Sequence, residues 1–563
     1  MEAGCPVCLR DGAMPLVVEA PLQPSARSAA AGTLRFARCP GCASVLAIGV
    51  PPPAYDSADP LDEIVQYYVE HLAAIDTVVD PLFALDRAGI RTYVEVGCSF
   101  GFAPDFGRRV FGWNVRGIDP SALAAAGRDA LGLPIQARYF TEDDPAGPPA
   151  ADLLAASEVV EHVADPHAFM RAITASLAPA GIVVMSTPNA AAIRPDTTHG
   201  ALMQVLCPGY HLVLFSARAL RGLVEAHGFL HHEVRETATG LTIFAARQPF
   251  AFMPGGRTDR ALYVQYLQGR LRDAPPGSPL ECGMLYRLLR EHAMFGQWDA
   301  AAALAPRVVA AYAARGVDLA HPEACRPEAG ADATLIGFAR RHPMNVGGVL
   351  YALAMMALLH GRDEGRAVPL FDAAAAWLAA VRQVMAREGI TDAESDTFEL
   401  LAAEQAMLAQ AGHDPGSALA RLDTLLRSDL CPAADDPRVA AWQARLFVEA
   451  VNAGDHLYAA RLFGAVASAG SDADAVMQAR RLLALGIHAL NGRGDPAEAR
   501  RWFHAALAAV AAAPGGPVLA GLCQAAAAAL QVAQPAPLPA PGPASRWPGW
   551  LRRGRAVPGQ RSR

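Results

Sequence analysis

"YVEVGCSFGFAPDFGRRVFGWNVRGIDPS" (residues 93–121) joins a short apolar run to a glycine-rich turn and sets a lone acid, Asp119, well downstream of it. A strand, a tight glycine turn and a distant carboxylate are how many α/β proteins hold the ribose of a nucleotide-like cofactor. The positions that are not glycine decide which cofactor. A dinucleotide fingerprint needs G-x-G-x-x-G, and this chain has Gly97, then Ser99, then Phe102 at those places. The turn therefore fails as a nicotinamide or flavin motif, and without G-K-[ST] it is not a P-loop either. What it matches is E-x-G-x-x-x-G, carried by Glu95, Gly97 and Gly101.

Outward from the turn, strand-like and helical runs alternate. "TYVEV" (92–96), "NVRGID" (114–119), "PIQARYF" (134–140), "ADLLAAS" (151–157) and "GIVVMSTPN" (181–189) read as strands, with helical segments such as "PHAFMRAITASLAP" (166–179) between them. "LHHEVRET" and "LTIFAARQ", joined at "ATG", read as an antiparallel pair. Alternating βα units imply a parallel sheet covered by helices, with ligands at the carboxyl ends of the strands.

These motifs resemble the class I S-adenosylmethionine-dependent methyltransferases. The glycine turn is similar to that family's first motif, and "GIDPS" looks like the acidic end of its second strand. "SEVVEHVADPHAFM" (157–170), "STPN" (186–189) and "GYHLVLFSARALRGLVEAHGF" (209–229) resemble the subgroup that includes the quinone-biosynthesis O-methyltransferases. The resemblance implies a Rossmann-like α/β sheet over residues 55–250 and S-adenosylmethionine as cofactor. Gly97 and Gly101 would then admit the methionine part of the cofactor, where a side chain would clash. Glu95 would organise the loop and the amino end of the cofactor, and Asp119 would accept both ribose hydroxyls. Cys98, Ser99 and Phe100 would line the turn, with Ser99 standing where many relatives have glycine. Phe140 and Thr141 would lie near the adenine, and Glu158 joins the same binding set. The implied reaction is methyl transfer to a small-molecule or glycan acceptor, at oxygen more readily than at carbon.

A sulfonium methyl is already a strong electrophile, so the protein must place the acceptor in line and remove its proton. Histidine is the natural base near neutral pH. His162 in "EVVEHV" and His211 in "GYHLVLF" are the candidate catalytic bases, and either could instead be a structural histidine bonded to backbone. Glu158 and Glu161 are as ambiguous, and His199 is a weaker candidate. "QYYVEH" (66–71) resembles the helix that lids such sites, which would bring Tyr67 or Tyr68 to the cofactor or the acceptor.

The N-terminus carries a different signal. Of ten cysteines, four form the pairs "CPVC" (Cys5, Cys8) and "CPGC" (Cys39, Cys42), and six are scattered. Two C-x-x-C turns complete a tetrahedral Cys₄ zinc site with no open position, so residues 1–50 read as a zinc ribbon holding structural Zn²⁺. A zinc ribbon ahead of such a domain is also similar to the sugar C-methyltransferases that act on nucleotide-linked sugars. Those carry a second α/β domain after the catalytic one, and this chain does not.

A chain of 563 residues exceeds one ordinary domain. From 258 to 533 it turns into Ala/Leu/Arg-rich helices with a loose repeat: "GQWDAAAAL" (296–304), "GRDEGRAVPLF" (361–371), "GHDPGSALARL" (412–422), "GDHLYAARLF" (454–463) and "GDPAEARRWF" (494–503). These resemble degenerate tetratricopeptide repeats stacked as an all-α domain. Such a surface is expected to bind a protein partner or to self-associate, or simply to stabilise the chain. The competing reading of the whole is a catalytically silent methyltransferase fold acting as an interaction scaffold. Residues 535–563 are Pro-rich and basic and are expected to be disordered. A net charge of -7 with no lysine, and "STPNA" without the aromatic of a base-flipping motif, disfavour a nucleic-acid substrate. The Ala-rich stretches near 371–380 and 505–513 read as too short to span a bilayer. With no signal-like N-terminus, a cytoplasmic protein is expected.

Overall fold

The computed structural model describes residues 4–22, 32–56, 68–72, 75–143, 145–147, 149–327, 330, 334–387, 392–433, 436–469, 474–513 and 516–533. The expected disordered tail and Tyr67 lie outside them. By contacts the chain divides into two units, one made of Met1–Ala320, Pro327–Val349 and Ala379–Ala393, the other of His321–Arg326, Leu350–Leu378 and Glu394–Arg563.

The first unit opens with three antiparallel strands, β1 (Leu16–Leu22), β2 (Gly32–Arg38) and β3 (Val45–Ile48). The main sheet follows with β4 (Thr92–Val96), β5 (Asn114–Ile118), β6 (Ile135–Gln136), β7 (Ala151–Ser157) and β8 (Leu177–Pro188). β9 is the two-residue Val213–Leu214, and β10 (His231–Glu236) and β11 (Gly240–Ala246) complete the set. The seven-stranded sheet runs β10-β11-β8-β7-β4-β5-β6. Its last five members, β8-β7-β4-β5-β6, pair in parallel, while β11 runs antiparallel to β8 and to β10. The mixed α/β sheet with a reversed last pair is therefore the one the motifs implied.

All five residues of β4 are buried, as a central parallel strand covered on both faces requires. After β4 the chain builds outward through β5 and β6, then returns to add β7 on the other side. β4 is thus the switch point of the sheet, where a crevice forms outside the strand ends. "PIQARYF", expected as a strand, pairs only at Ile135 and Gln136. It is the sheet edge, and beyond Gln136 the chain leaves the ladder to put Tyr139, Phe140 and Thr141 around a cavity.

β9 was not legible in advance. It pairs with β3, Val45 opposite Leu214 and Leu46 opposite Val213, so the N-terminal strands form a four-stranded sheet that includes a piece of the α/β segment. Cys5, Val7, Met14, Cys39 and Cys42 share one buried cluster with Leu220, Leu223 and Phe229.

Three helices of the expected helical region, Arg260–Asp273, Pro279–Met294 and Trp298–Ala313, belong to the unit that holds the sheet. Asp105, wholly buried on the helix Phe102–Val110, accepts both the Nε–H and an Nη2–H of Arg270 and the hydroxyl of Tyr266 at 3.0 Å. A buried carboxylate persists only when paired and hydrogen-bonded in this way.

In the second unit three of the quoted repeat stretches each open a helix behind a capping aspartate: Asp414 before Pro415–Leu425, Asp455 before His456–Ser468, Asp495 before Pro496–Ala511. Each carboxylate accepts a backbone N–H of the first turn, the usual way an orphan helical donor is satisfied. The stretch 371–380 is part of a 24-residue helix, Glu364–Arg387, which by length and composition could cross a membrane. That corrects the reading of it as too short. Of its apolar window 56% is buried inside the protein, as in the core helix of a bundle.

Candidate functional site

The turn after β4 is shaped by backbone geometry before any ligand is considered. Gly97 and Gly101 have φ of 70° and 90°, in the region where a Cβ is disfavoured. A Cβ on Gly97 would lie 2.4 Å from Cγ2 of Val159, and one on Gly101 would lie 2.8 Å from Cδ1 of Leu133. Ser99 holds a left-handed φ of 52° without being glycine. It is held there by Asp119, whose Oδ2 accepts the Ser99 N–H at 2.8 Å while Oδ1 accepts that of Ser121, also at 2.8 Å. One carboxylate thus ties the first turn to the second, with lone pairs left to accept further hydrogen bonds.

A cavity of about 570 Å³ opens at the ends of β4, β5 and β7. Gly97, Ser99, Asp119, Phe140, Glu158 and His162 all line it. Cys98, Glu95 and His211 do not. Cys98 Sγ would lie 2.6 Å from a Cβ on Gly117, so it fills the gap that glycine leaves in β5. Glu95 is buried beneath the turn, and burial together with the neighbouring Asp119 charge pushes its carboxyl up to about 8.

His162 and His211 pack edge to face with ring centroids 4.8 Å apart. His211 is buried, its Nδ1 2.8 Å from the Val205 carbonyl, and burial with His162 beside it pushes it down to about 3. It is a neutral, backbone-anchored ring. His162 reaches the cavity, and burial lowers its pKa too, so it also stands as the free base. Glu161, fully buried, has its carboxyl raised by burial and by Glu158. Glu161, His162 and His211 present ligand atoms within 4.8 Å of one another, a carboxylate and two imidazoles that also suit a divalent cation.

One functional residue had no signal in the sequence. Tyr55, in the proline-rich segment after β3, places its hydroxyl 2.7 Å from His162 Nδ1. The same Nδ1 lies 3.0 Å from the Tyr210 carbonyl. Pro52, Pro53 and Tyr139 join Tyr55 in the cavity wall, and Tyr139 Oη accepts the Tyr55 N–H at 2.9 Å. An aromatic following "VPPPA" has no periodicity to betray it.

Residues 66–234 match the family model described as "Methyltransferase domain". The α/β segment is a class I methyltransferase domain. A ubiquinone biosynthesis O-methyltransferase of Methylobacterium sp. (strain 4-46) is 33% identical over 146 residues, 24% of this chain and 58% of that relative. Its namesake in Rhodopseudomonas palustris (strain HaA2) is 38% identical over 106 residues, 18% of this chain and 41% of the relative. The chain thus spans between 40% and 58% of the length of the curated relatives it matches. Among solved structures, an O-methyltransferase family protein from Burkholderia thailandensis aligns over 33% of this chain and 58% of its own, with 15% identity and a TM-score of 0.27.

The four N-terminal cysteines come together against the methyltransferase domain. Their Sγ atoms all lie within 4.8 Å of one another, with Cys5–Cys42 at 3.7 Å and Cys8–Cys39 at 3.6 Å. A tetrahedral ion with metal–sulfur bonds of about 2.3 Å needs sulfurs about 3.8 Å apart, so the donor set fits Zn²⁺. Three side chains of the domain grip the backbone of these turns. Ser216 Oγ donates to the Cys42 carbonyl at 2.6 Å and Arg218 to that of Gly41 at 2.6 Å, while His167 Nε2 lies 2.9 Å from the Val7 carbonyl.

Proposed function

We propose that this chain transfers a methyl group from S-adenosylmethionine to an uncharged, hydroxyl-bearing small molecule or glycan, at oxygen. The observation that carries the reading is Asp119, which lines the cavity at the switch point and is bound to the turn that holds Gly97. The cofactor supplies an electrophilic methyl carbon. The residues do the rest. Asp119 accepts the ribose hydroxyls, Phe140 offers an apolar face for the base, and Glu95 lies under the turn as a partner for the amino group.

The acceptor's charge follows from the wall. Asp119, Glu142, Glu158 and Asp165 line the cavity, and among the described residues no arginine lines it. A phosphate there would have to compete with Glu142 and Asp165 for Arg171, their shared partner, which weighs against a nucleotide-linked sugar. His162, neutral because buried, takes the acceptor proton. The Tyr210 carbonyl, which can only accept, keeps a proton on Nδ1 and leaves Nε2 as the basic nitrogen, while the Tyr55 hydroxyl holds the ring through the same Nδ1. The scaffold reading lacks a supporting observation, since the cofactor turn and the cavity are both present. Structural zinc at Cys5, Cys8, Cys39 and Cys42 completes the proposal.

Incubation with S-adenosylmethionine and a panel of neutral and phosphorylated hydroxyl compounds, read as S-adenosylhomocysteine formed, tests the reading. With an accepted substrate, Tyr55→Phe should lower kcat by about 10- to 100-fold and leave the KM for the cofactor unchanged. Undiminished kcat in that variant removes Tyr55 from the positioning of the base.

Glu95 gives a pH dependence. Its carboxyl stands near 8 in the folded protein against about 4.5 unperturbed, so the folded state holds a proton that the unfolded chain has lost. Stability from that proton is full below about 4.5 and is lost as pH rises through about 8. A cationic amino group beside Glu95 favours its ionised form and reverses the loss. The thermal stabilisation given by S-adenosylmethionine should therefore grow from pH 6 toward pH 8 in wild type and stay flat in Glu95→Gln. Parallel curves for the two proteins would count against the assignment.

A further inference from the structure

Residues 279–345 lie beyond the methyltransferase match, yet they reach its cofactor turn. The link is the short helical segment Tyr68–Leu72. The Tyr68 ring stacks on Phe102, the first residue of the helix after the turn, with centroids 6.4 Å apart and planes 8° from parallel. Burial raises the Tyr68 phenol, a hydrogen bond from Ser99 opposes that rise, and Glu95 adds to it. Tyr68 therefore sits over the Ser99–Glu95 end of the turn.

What holds it there comes from far downstream. Gly283 brings the helix Pro279–Met294 so close that a Cβ would lie 2.3 Å from the Val69 carbonyl oxygen. Arg287, one turn on, donates to that same carbonyl at 2.9 Å and lies over the Phe102 ring at 5.9 Å. Arg315 donates to Glu70 Oε1 at 2.6 Å, and the Glu70 side chain is wholly buried. Asn345 donates to the Glu70 carbonyl at 2.9 Å, and its own Oδ1 accepts the Tyr312 hydroxyl at 2.8 Å. Successive residues of one short segment are thus gripped by side chains from three separate places, all in the unit that holds the sheet.

We propose that Gly283, Arg287, Arg315 and Asn345 are positioning residues for the cofactor: they clamp Tyr68–Leu72 so that Tyr68 closes the Ser99–Glu95 end of the cofactor turn. The inference rests on the reading of that turn as the cofactor site. It makes the first helices after the sheet part of the binding machinery, and it assigns a role to a stretch that repeat patterning would give to a separate scaffold. None of these residues lines the cavity beside His162 and Tyr55, and they act through the cofactor turn, so their effect should fall on cofactor affinity and spare the acceptor's KM.

The test is a double-mutant cycle on the full chain, with S-adenosylhomocysteine as probe and calorimetry as readout. Tyr68→Ala removes only the ring, Arg315→Ala loosens the clamp, and Arg315→Lys keeps the charge. Each alanine variant should raise Kd by about 10-fold, the pair together by little more than either alone, and Arg315→Lys should recover part of the loss. Additive losses, or a wild-type Kd in Tyr68→Ala, overturn the proposal even if Arg315→Ala folds poorly. A wild-type chain that binds no S-adenosylhomocysteine would instead overturn the cofactor reading itself.

Discussion

Asp119→Ala is expected to weaken S-adenosylmethionine binding by about 100-fold or more, as measured by isothermal titration calorimetry. Hydrogen bonds to a charged partner contribute about 1.5–3 kcal/mol each, so losing two ribose contacts removes about 3–6 kcal/mol. The same substitution frees the Ser99 and Ser121 N–H groups that the carboxylate accepts at 2.8 Å. Ser99 then has nothing to hold it at a φ of 52°, and the turn loses the shape the cofactor needs. Both effects run the same way. Asp119→Asn keeps one acceptor oxygen and should lose less. Asp119 is itself buried and holds both turns, so the ligand-free variant should also melt somewhat lower, and circular dichroism at the assay temperature checks that it is folded. Binding by Asp119→Ala within about threefold of wild type would refute the cofactor assignment.

The residues of the cofactor turn were legible because local chemistry alone constrains them. Gly97 and Gly101 combine φ of 70° and 90° with no room for a Cβ, and the carboxylate at the end of the second strand ties two turns together. The pairing of β10 with β11 was legible for a related reason, since "ATG" between two apolar alternations leaves little but a reversal. What stayed hidden depends on contacts between distant parts of the chain. Two residues at Val213–Leu214 carry no strand signal and pair because β3 offers them an edge. Asp105 and Arg270 meet across 165 positions, and an acid in an amphipathic helix reads as solvent-facing until its partner is known. Tyr55 is of this kind too. The two histidines were found but not ranked, because each looks alike in sequence. Only His162 reaches the cavity, while His211 is spent on the Val205 carbonyl.

Removing the zinc proposed at the N-terminal cysteines should separate structure from cofactor binding. Apparent free energies of structural zinc sites run to about 10–16 kcal/mol, so Cys39→Ser or a strong chelator should release close to one equivalent of zinc and melt the two turns. Those turns supply the carbonyls that Ser216, Arg218 and His167 grip, and their cysteines share a buried cluster with Phe229 and Leu223. Their loss should lower the melting temperature by about 5 °C or more. It should also free the strands that lead into Tyr55, so kcat should fall at least as far as in Tyr55→Phe. Asp119, Gly97 and Glu95 stand on the main sheet and do not depend on the cysteines, so S-adenosylmethionine should still bind with nearly its original affinity. The decisive measurement pairs zinc content by mass spectrometry with a thiol titration. A fully active protein, metal-free and with four additional reactive thiols, would show that the sulfurs pack together without an ion. Loss of turnover with binding retained would place the knuckles where the geometry puts them, behind the acceptor wall.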